Sequence, residues 1–172
     1  MRVIVGVADM QISASPEDEL ITHALGSCLG ITAYDVRMGV GGLLHVMLPE
    51  SRIDPGKAQA NPYMFVDTGV PELFRACYRL GARKEHIVLR VAGGACTHGA
   101  AEDDLFPIGA RNMTMLRKLL WRNGVMIDAH DVGGCESRTM TLNLRDGSVT
   151  LRTNGQHKPL GAPLRVPVEQ GD

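Results

Sequence analysis

The stretch Thr22-His23-Ala24-Leu25-Gly26-Ser27-Cys28-Leu29-Gly30 carries a fold signal and a chemical one together. Before it lies the apolar run Leu20 to Leu25, and after Cys28 the chain resumes as Leu29-Gly30-Ile31-Thr32-Ala33-Tyr34, so the pattern predicts a strand, a tight turn and a second strand. The turn holds a thiol between two glycines. Gly26 and Gly30 permit backbone conformations that leave N–H groups bare beside Cys28, and a nucleophile whose adduct is a tetrahedral oxyanion needs such donors. Cys28 is therefore the candidate nucleophile, and Gly26, Ser27 and Gly30 are the candidate oxyanion and substrate-binding positions. Ser27 competes, because G-S-C-L-G resembles a G-x-S-x-G elbow, but it directly follows Gly26 and is out of register. A cysteine in an apolar stretch is ordinarily a small buried side chain, and the flanking glycines are what set this one apart.

Outward from the turn, Asp35 to Gly39 has turn chemistry and Val40 to Leu48 is apolar again, so 28–34 and 40–48 read as an antiparallel hairpin. The second strand contains Gly41-Gly42-Leu43-Leu44-His45 and runs beside the one that begins at Cys28, which brings both residues toward one end of a sheet. A thiol of ordinary pKa, about 8.5, is mostly protonated at neutrality, so attack requires a neighbouring base, and His45 is the natural one. Val3, Val5 and Val7, with Ile4 on the other face, predict an opening strand. Glu50 to Ala60 reads as an exposed loop long enough to cover a site. Asn61-Pro62 reads as the start of a helix running through Leu73, Phe74 and Cys77, interrupted or kinked by Gly69 and Pro71 and stopped by Gly81. Strands follow at 87–92 and 125–132, each ending in a glycine pair, with a helix over 108–123 between them and a hairpin of 138–144 with 148–152 afterwards. The fold class is α+β: a layered antiparallel or mixed β core flanked by two main helices. Residues 1–152 form one domain, and 153–172, with three prolines and few apolar residues, form an extended or disordered tail.

Composition excludes several functions. A length of 172 residues fits one domain, and 18 basic against 19 acidic side chains give a net charge of −1, which offers no field for nucleic acid. No apolar run is long enough for membrane insertion, and MRVIVGVADMQIS is a poor signal peptide, so the expectation is a cytoplasmic protein. Cys28, Cys77, Cys96 and Cys135 form no CxxC pair, which argues against a closed zinc site and a redox dithiol and predicts reduced thiols. Cys96 and His98 could meet a metal with Cys135 or His130, but nothing fixes a fourth ligand, so neither metal nor cofactor is expected. Arg111-Asn112, opening a helix after Gly109, reads as a contact for substrate carboxylates or as a cap. Gly93-Gly94 and Gly133-Gly134 match no phosphate loop.

Thr22 through Gly30, Tyr34-Asp35, Gly41-Gly42-x-x-His45-x-x-Leu48-Pro49, Gly93-Gly94-Ala95, Ile108-Gly109-x-Arg111-Asn112 and Asp131-x-Gly133-Gly134 together resemble the CheD family of chemoreceptor glutamine deamidases. The resemblance runs in order over about residues 20–152 and implies an α+β, cysteine-hydrolase-like fold without a cofactor. It implies a protein-glutamine glutaminase that converts particular glutamines on the cytoplasmic helices of methyl-accepting chemotaxis receptors to glutamates. By that likeness the catalytic residues are Cys28, His45 and Thr22, Thr22 standing where a triad usually has Asp or Asn. It also implies a CheC-type phosphatase as a partner in some systems. A non-catalytic adaptor binding receptor or CheC is the alternative, and a transglutaminase-like enzyme is a third. The chain departs from the family pattern at Ala92, where Phe is usual, and at Ser137-Arg138, where Gly-Arg is usual.

Overall fold

A computed structural model describes residues 1–96 and 107–166. Its layering follows from two central strands with no solvent-facing side. Every residue of β4 (Leu29–Asp35) and β5 (Val40–Val46) is buried, so both faces of the sheet containing them must be covered. Leu29, Ile31, Val40, Leu44 and Val46 share a core with Val66, Val70, Leu73 and Leu116 of the helices. On the opposite face Tyr34, Leu43 and Ala92 share a second core with Leu20, Leu25, Met140, Leu142 and Leu151. The result is three layers: an outer sheet, a middle sheet, and helices.

The middle sheet has the order β2-β5-β4-β6-β7, with β2 at Asp9–Ser13, β6 at Ile87–Gly93 and β7 at Ile127–Val132. The outer sheet has the order β1-β3-β8-β9-β10, with β1 at Arg2–Val5, β3 at Glu19–Leu25, β8 at Arg138–Asn143, β9 at Val149–Thr153 and β10 at Gln156–Pro159. Pairing is antiparallel apart from β1 with β3 and β6 with β7. The α+β class, the 28–34/40–48 hairpin and the 138–152 hairpin agree with the sequence reading.

Several elements differ from that reading. Glu50 to Ala60 is not an open loop: it contains a 3-10 turn at Ser51–Ile53 and helix α1 (Pro55–Ala60), whose first turn is capped by Asp54 accepting from the Lys57 N–H at 3.1 Å. Asn61 caps a separate 3-10 turn, Pro62–Met64, and helix α2 begins only at Val66. That helix runs unbroken to Arg79 despite Gly69 and Pro71. A Cβ on Gly69 would lie 3.2 Å from Leu44 and Val46, so here glycine lets the helix approach β5. Burial of Val66, Val70, Leu73, Phe74 and Cys77 offsets the hydrogen bond that Pro71 cannot make. Strand β2 leaves little trace in the sequence pattern because its only apolar residues are Met10 and Ile12; it gains its order by pairing with β5.

Two further expectations are corrected. The folded unit does not stop at 152: β10 adds to the outer sheet, Leu160 is 5% exposed, and its N–H bonds Val149 O at 2.8 Å. Residues 167–172 lie outside the described residues. Nor are all four thiols reduced. Cys96 and Cys135 form a disulfide across 39 residues, because β6 and β7 lie side by side and run out at the same end. Such a pair, made by sheet neighbours, leaves no short-range spacing for sequence to reveal.

Candidate active site

The turn after β3 carries the chain from the outer sheet to the middle one. Ala24 takes a left-handed conformation (φ 57°), and the β3–β8 register shifts between Thr22 and Leu25, so the strand bends out of its sheet there. The turn is then held from outside through three successive carbonyls. Gly26 O accepts from the Ala95 N–H at 2.8 Å and Cys28 O from the Gly94 N–H at 2.9 Å, while Ser27 O accepts from the side-chain amide of Asn112 at 3.0 Å. Glycine is obligatory around this contact: at Gly93 (φ 112°) a Cβ would lie 2.2 Å from Cys28 O, and at Gly109, in the first turn of helix α3 (Ile108–Arg122), one would lie 2.5 Å from the Gly94 backbone.

Thr22 and His45 meet between the sheets, and neither has measurable exposure. Thr22 Oγ1 lies 2.7 Å from His45 Nδ1 and 2.8 Å from Val5 O, its partner across β1–β3. A carbonyl can only accept, so the single hydroxyl proton of Thr22 goes to Val5 O. Nδ1–H of His45 must then donate to Thr22 Oγ1, which leaves the lone pair on Nε2. Nε2 is buried and has no hydrogen-bond partner among the described residues. Burial without a counter-charge lowers the His45 pKa from 6.5 to about 4, so the ring is neutral at neutral pH.

Cys28 lies just before β4, half-buried against the inter-sheet core. Its neighbour Leu29 pairs with Val46 and Gly30 with His45, so extending the register sets Cys28 diagonally from His45 on one face. Diagonal neighbours in such a ladder are roughly 7–8 Å apart at the backbone, and in this conformation Cys28 Sγ makes no hydrogen bond to His45 Nε2. Burial raises the thiol pKa, opposed by the Cys28 backbone N–H, so the resting pair is a thiol and a neutral imidazole rather than an ion pair.

Of the three positions read as oxyanion or substrate contacts, Gly26 and Ser27 lie in the turn, whereas Gly30 lies inside β4 with strands on both sides. A Cβ on Gly30 would come within 2.8 Å of Leu25 and Met140, so glycine there lets the sheets close beside His45. Two contributors were not assigned from sequence, Val5 O and Arg138, and Asn112 was given a different role there. The Arg138 side chain, 8% exposed, donates to Gly93 O at 3.2 Å and Gly133 O at 2.9 Å and pairs with Asp131 at 3.0 Å, which joins the ends of β6 and β7. The sequence marked it only as part of the family pattern at Ser137-Arg138, with no partner. Arg138 thus spans the turn in which Ser137 departs from the family pattern, and Ala92, the other departure, is fully buried in the inter-sheet core. Among the described residues no cluster of His, Cys, Asp or Glu could hold a metal, and the Cys96 and Cys135 sulfurs are bonded to each other. His98 lies outside the described residues.

A family model described as CheD chemotactic sensory transduction matches residues 47–153. A protein of Syntrophus aciditrophicus named probable chemoreceptor glutamine deamidase CheD 1 is 44% identical over 89% of this chain and 94% of its own length. A Solibacter usitatus protein named probable chemoreceptor glutamine deamidase CheD is 43% identical over 92% of this chain and 93% of its own. One so named from Methanococcus maripaludis is 37% identical over 93% of this chain and all of its own length.

Proposed function

This chain belongs to the CheD family, and we propose on that footing that it is a chemoreceptor glutamine deamidase, an amidohydrolase acting in chemotaxis. The single observation that carries the mechanism is the Thr22–His45 contact of 2.7 Å, which ties up Nδ1 and leaves Nε2 as a base on the face next to the nucleophile turn. Cys28 is the nucleophile in this reading. As its sulfur bonds to the carboxamide carbon, its proton passes to His45 Nε2, and the carbonyl π electrons move to oxygen. The backbone N–H groups of Ser27 and Cys28 stabilise that oxyanion, the Gly26 N–H being committed to Ala24 O at 3.0 Å. His45 returns the proton to the amide nitrogen, the C–N bond breaks, and ammonia leaves a thioester on Cys28. His45 then takes a proton from water as the water oxygen attacks the thioester carbon; the adduct collapses with cleavage of the C–S bond, and His45 returns that proton to the departing sulfur, which leaves the glutamate and a restored thiol.

Thr22 keeps the ring in its productive tautomer. A hydroxyl supports the transient imidazolium less than a carboxylate would, and a neutral resting pair must transfer a proton in each attack. Slow turnover follows from both.

The substrate in this proposal is a glutamine side chain on the cytoplasmic helices of a receptor, and the enzyme works in the cytoplasm. No helix among the described residues is long and apolar enough to cross a membrane. A CheC-type phosphatase as an additional partner rests on the resemblance alone. The test is incubation of a purified receptor fragment with the enzyme, read by ammonia release and by the mass rise of each Gln-to-Glu exchange. Cys28→Ala and His45→Ala are expected to abolish both while leaving the circular dichroism spectrum intact. Undiminished turnover in Cys28→Ala rules the mechanism out.

A further inference from the structure

Helix α3 sends one side chain into the junction between the nucleophile turn and the strand of His45. Asn112 has no measurable exposure, and its Nδ2 donates to Ser27 O at 3.0 Å and to Met47 O at 3.0 Å. Both amide hydrogens are thus spent on main-chain carbonyls from two different elements, while Oδ1 is buried without a partner among the described residues. A helix cap would bond its own helix, so the cap read from sequence does not describe this residue; the helix is entered from Pro107 with no side-chain cap.

The two carbonyls are informative. Ser27 O belongs to the peptide whose N–H is that of Cys28, and a trans peptide is planar with its C=O and N–H pointing oppositely. Holding Ser27 O on Asn112 therefore fixes the direction of the Cys28 N–H. Met47 directly follows β5, two residues beyond His45. One side chain therefore sets both the nucleophile's peptide plane and the separation of the turn from the strand of His45.

We propose that Asn112 is a positioning residue of the deamidase site, aligning the Cys28 N–H as an oxyanion donor and holding the Cys28 turn in register with His45; this rests on the cysteine mechanism given above. The Cys28 N–H also opposes the effect of burial on the thiol, so its misalignment shifts thiol reactivity as well as turnover. Losing a donor of this kind costs about 100-fold or more in rate, and a shift of about an ångström between reacting groups costs a similar factor.

The experiment compares Asn112→Ala and Asn112→Ser with Leu120→Ala, a core truncation two turns further along α3 and away from the site. Each is followed by thermal melting, by kcat and KM on a receptor fragment, and by the pH profile of Cys28 alkylation with iodoacetamide. Asn112→Ala is expected to lower kcat about 100-fold with KM little changed and to move the alkylation profile to higher pH. Asn112→Ser, which keeps one donor in a shorter side chain, recovers part of the rate. Leu120→Ala lowers the melting temperature but keeps kcat and the profile of the parent. If the Asn112 variants melt lower yet retain kcat and the parental alkylation profile, the residue is structural only and the proposal is overturned. If Asn112→Ala does not fold, Asn112→Ser decides, parental kcat and profile again overturning it. Retained activity in Cys28→Ala would instead overturn the mechanism on which the proposal rests.

Discussion

At the scale of single residues the site works by subtraction of alternatives. Thr22 has one proton and gives it to Val5 O, so His45 has one tautomer; the imidazole is buried without a carboxylate, so it has one charge state near neutrality. The same burial has a stability consequence. The folded pKa of His45 is about 4 against the ordinary 6.5 of an exposed imidazole, so between those values the unfolded chain binds more protons than the folded one. His45 thus imposes no penalty above about pH 6.5, and stability falls as pH is lowered from there toward 4. The expected loss between pH 7 and pH 4.5 is about 2–3 kcal/mol from this group. Burial works against ionisation of Asp35 and Asp131, but hydrogen bonds and positive charges outweigh it and hold both below the ordinary aspartate range, so their contribution is lost only at lower pH. Urea unfolding at the two pH values checks this: His45→Gln should show a shallower dependence than the parent chain, and equal slopes would refute the assignment.

At the scale of elements the decisive contacts are made by backbone. Gly93 allows the end of β6 to touch the Cys28 carbonyl, and Gly94 and Gly109 allow the start of α3 to pack on the chain that leaves β6, at distances no side chain permits. Helix propensity alone favours Gly109→Ala by about 0.5–1 kcal/mol. The added Cβ would meet the Gly94 carbonyl at 2.5 Å and Ala95 O at 2.6 Å, both main-chain atoms that cannot rotate away. Overpacking of this kind costs about 1–3 kcal/mol, so the clash wins. Gly109→Ala is expected to lower the denaturation midpoint and to slow deamidation, because α3 also carries Asn112 to the turn. A midpoint equal to or above the parent's would show that the helix shifts freely. The sequence pattern located α3 and both glycine pairs, since apolar spacing and chain-terminating glycines are local signals. It marked Asn112 only as a cap or carboxylate contact, because the two carbonyls it reaches are distant in sequence.

At the scale of the whole molecule the site exists because two sheets close face to face. Thr22 belongs to the outer sheet, His45 to the middle one, and Cys28 to the segment that passes between them. Whatever loosens the sandwich therefore separates the three candidate residues. Residues 156–162 belong to this architecture: β10 covers the edge of β9, Leu160 fills the inter-sheet core, and Arg90, 2% exposed, pairs with Asp128 at 2.8 Å and holds Ala162 O at 2.6 Å. Burying one leucine side chain contributes about 1.5–3 kcal/mol, so Leu160→Ala should lower stability by about 2–4 kcal/mol once the cavity is included. Calorimetric melting checks this, and a melting temperature unchanged from the parent would mean that residues beyond 153 contribute nothing to the fold.

By itself the sequence determined the parts that depend on neighbours along the chain: the hairpin around Asp35 to Gly39, the two main helices, the glycine-flanked Cys28 and the strand bearing His45. Period, turn chemistry and residue type are properties of a short window, and they were sufficient for the α+β class and for marking Cys28 and His45 as candidates. Only the tertiary structure decided the rest. It set the tautomer of His45, the bridging role of Asn112, the joining of Cys96 to Cys135 and the ordering of residues 154–166. Each is a pairing between groups that only folding brings together, made across sheets or between elements, and a hydrogen bond or disulfide between distant groups leaves no periodicity in the chain that forms it.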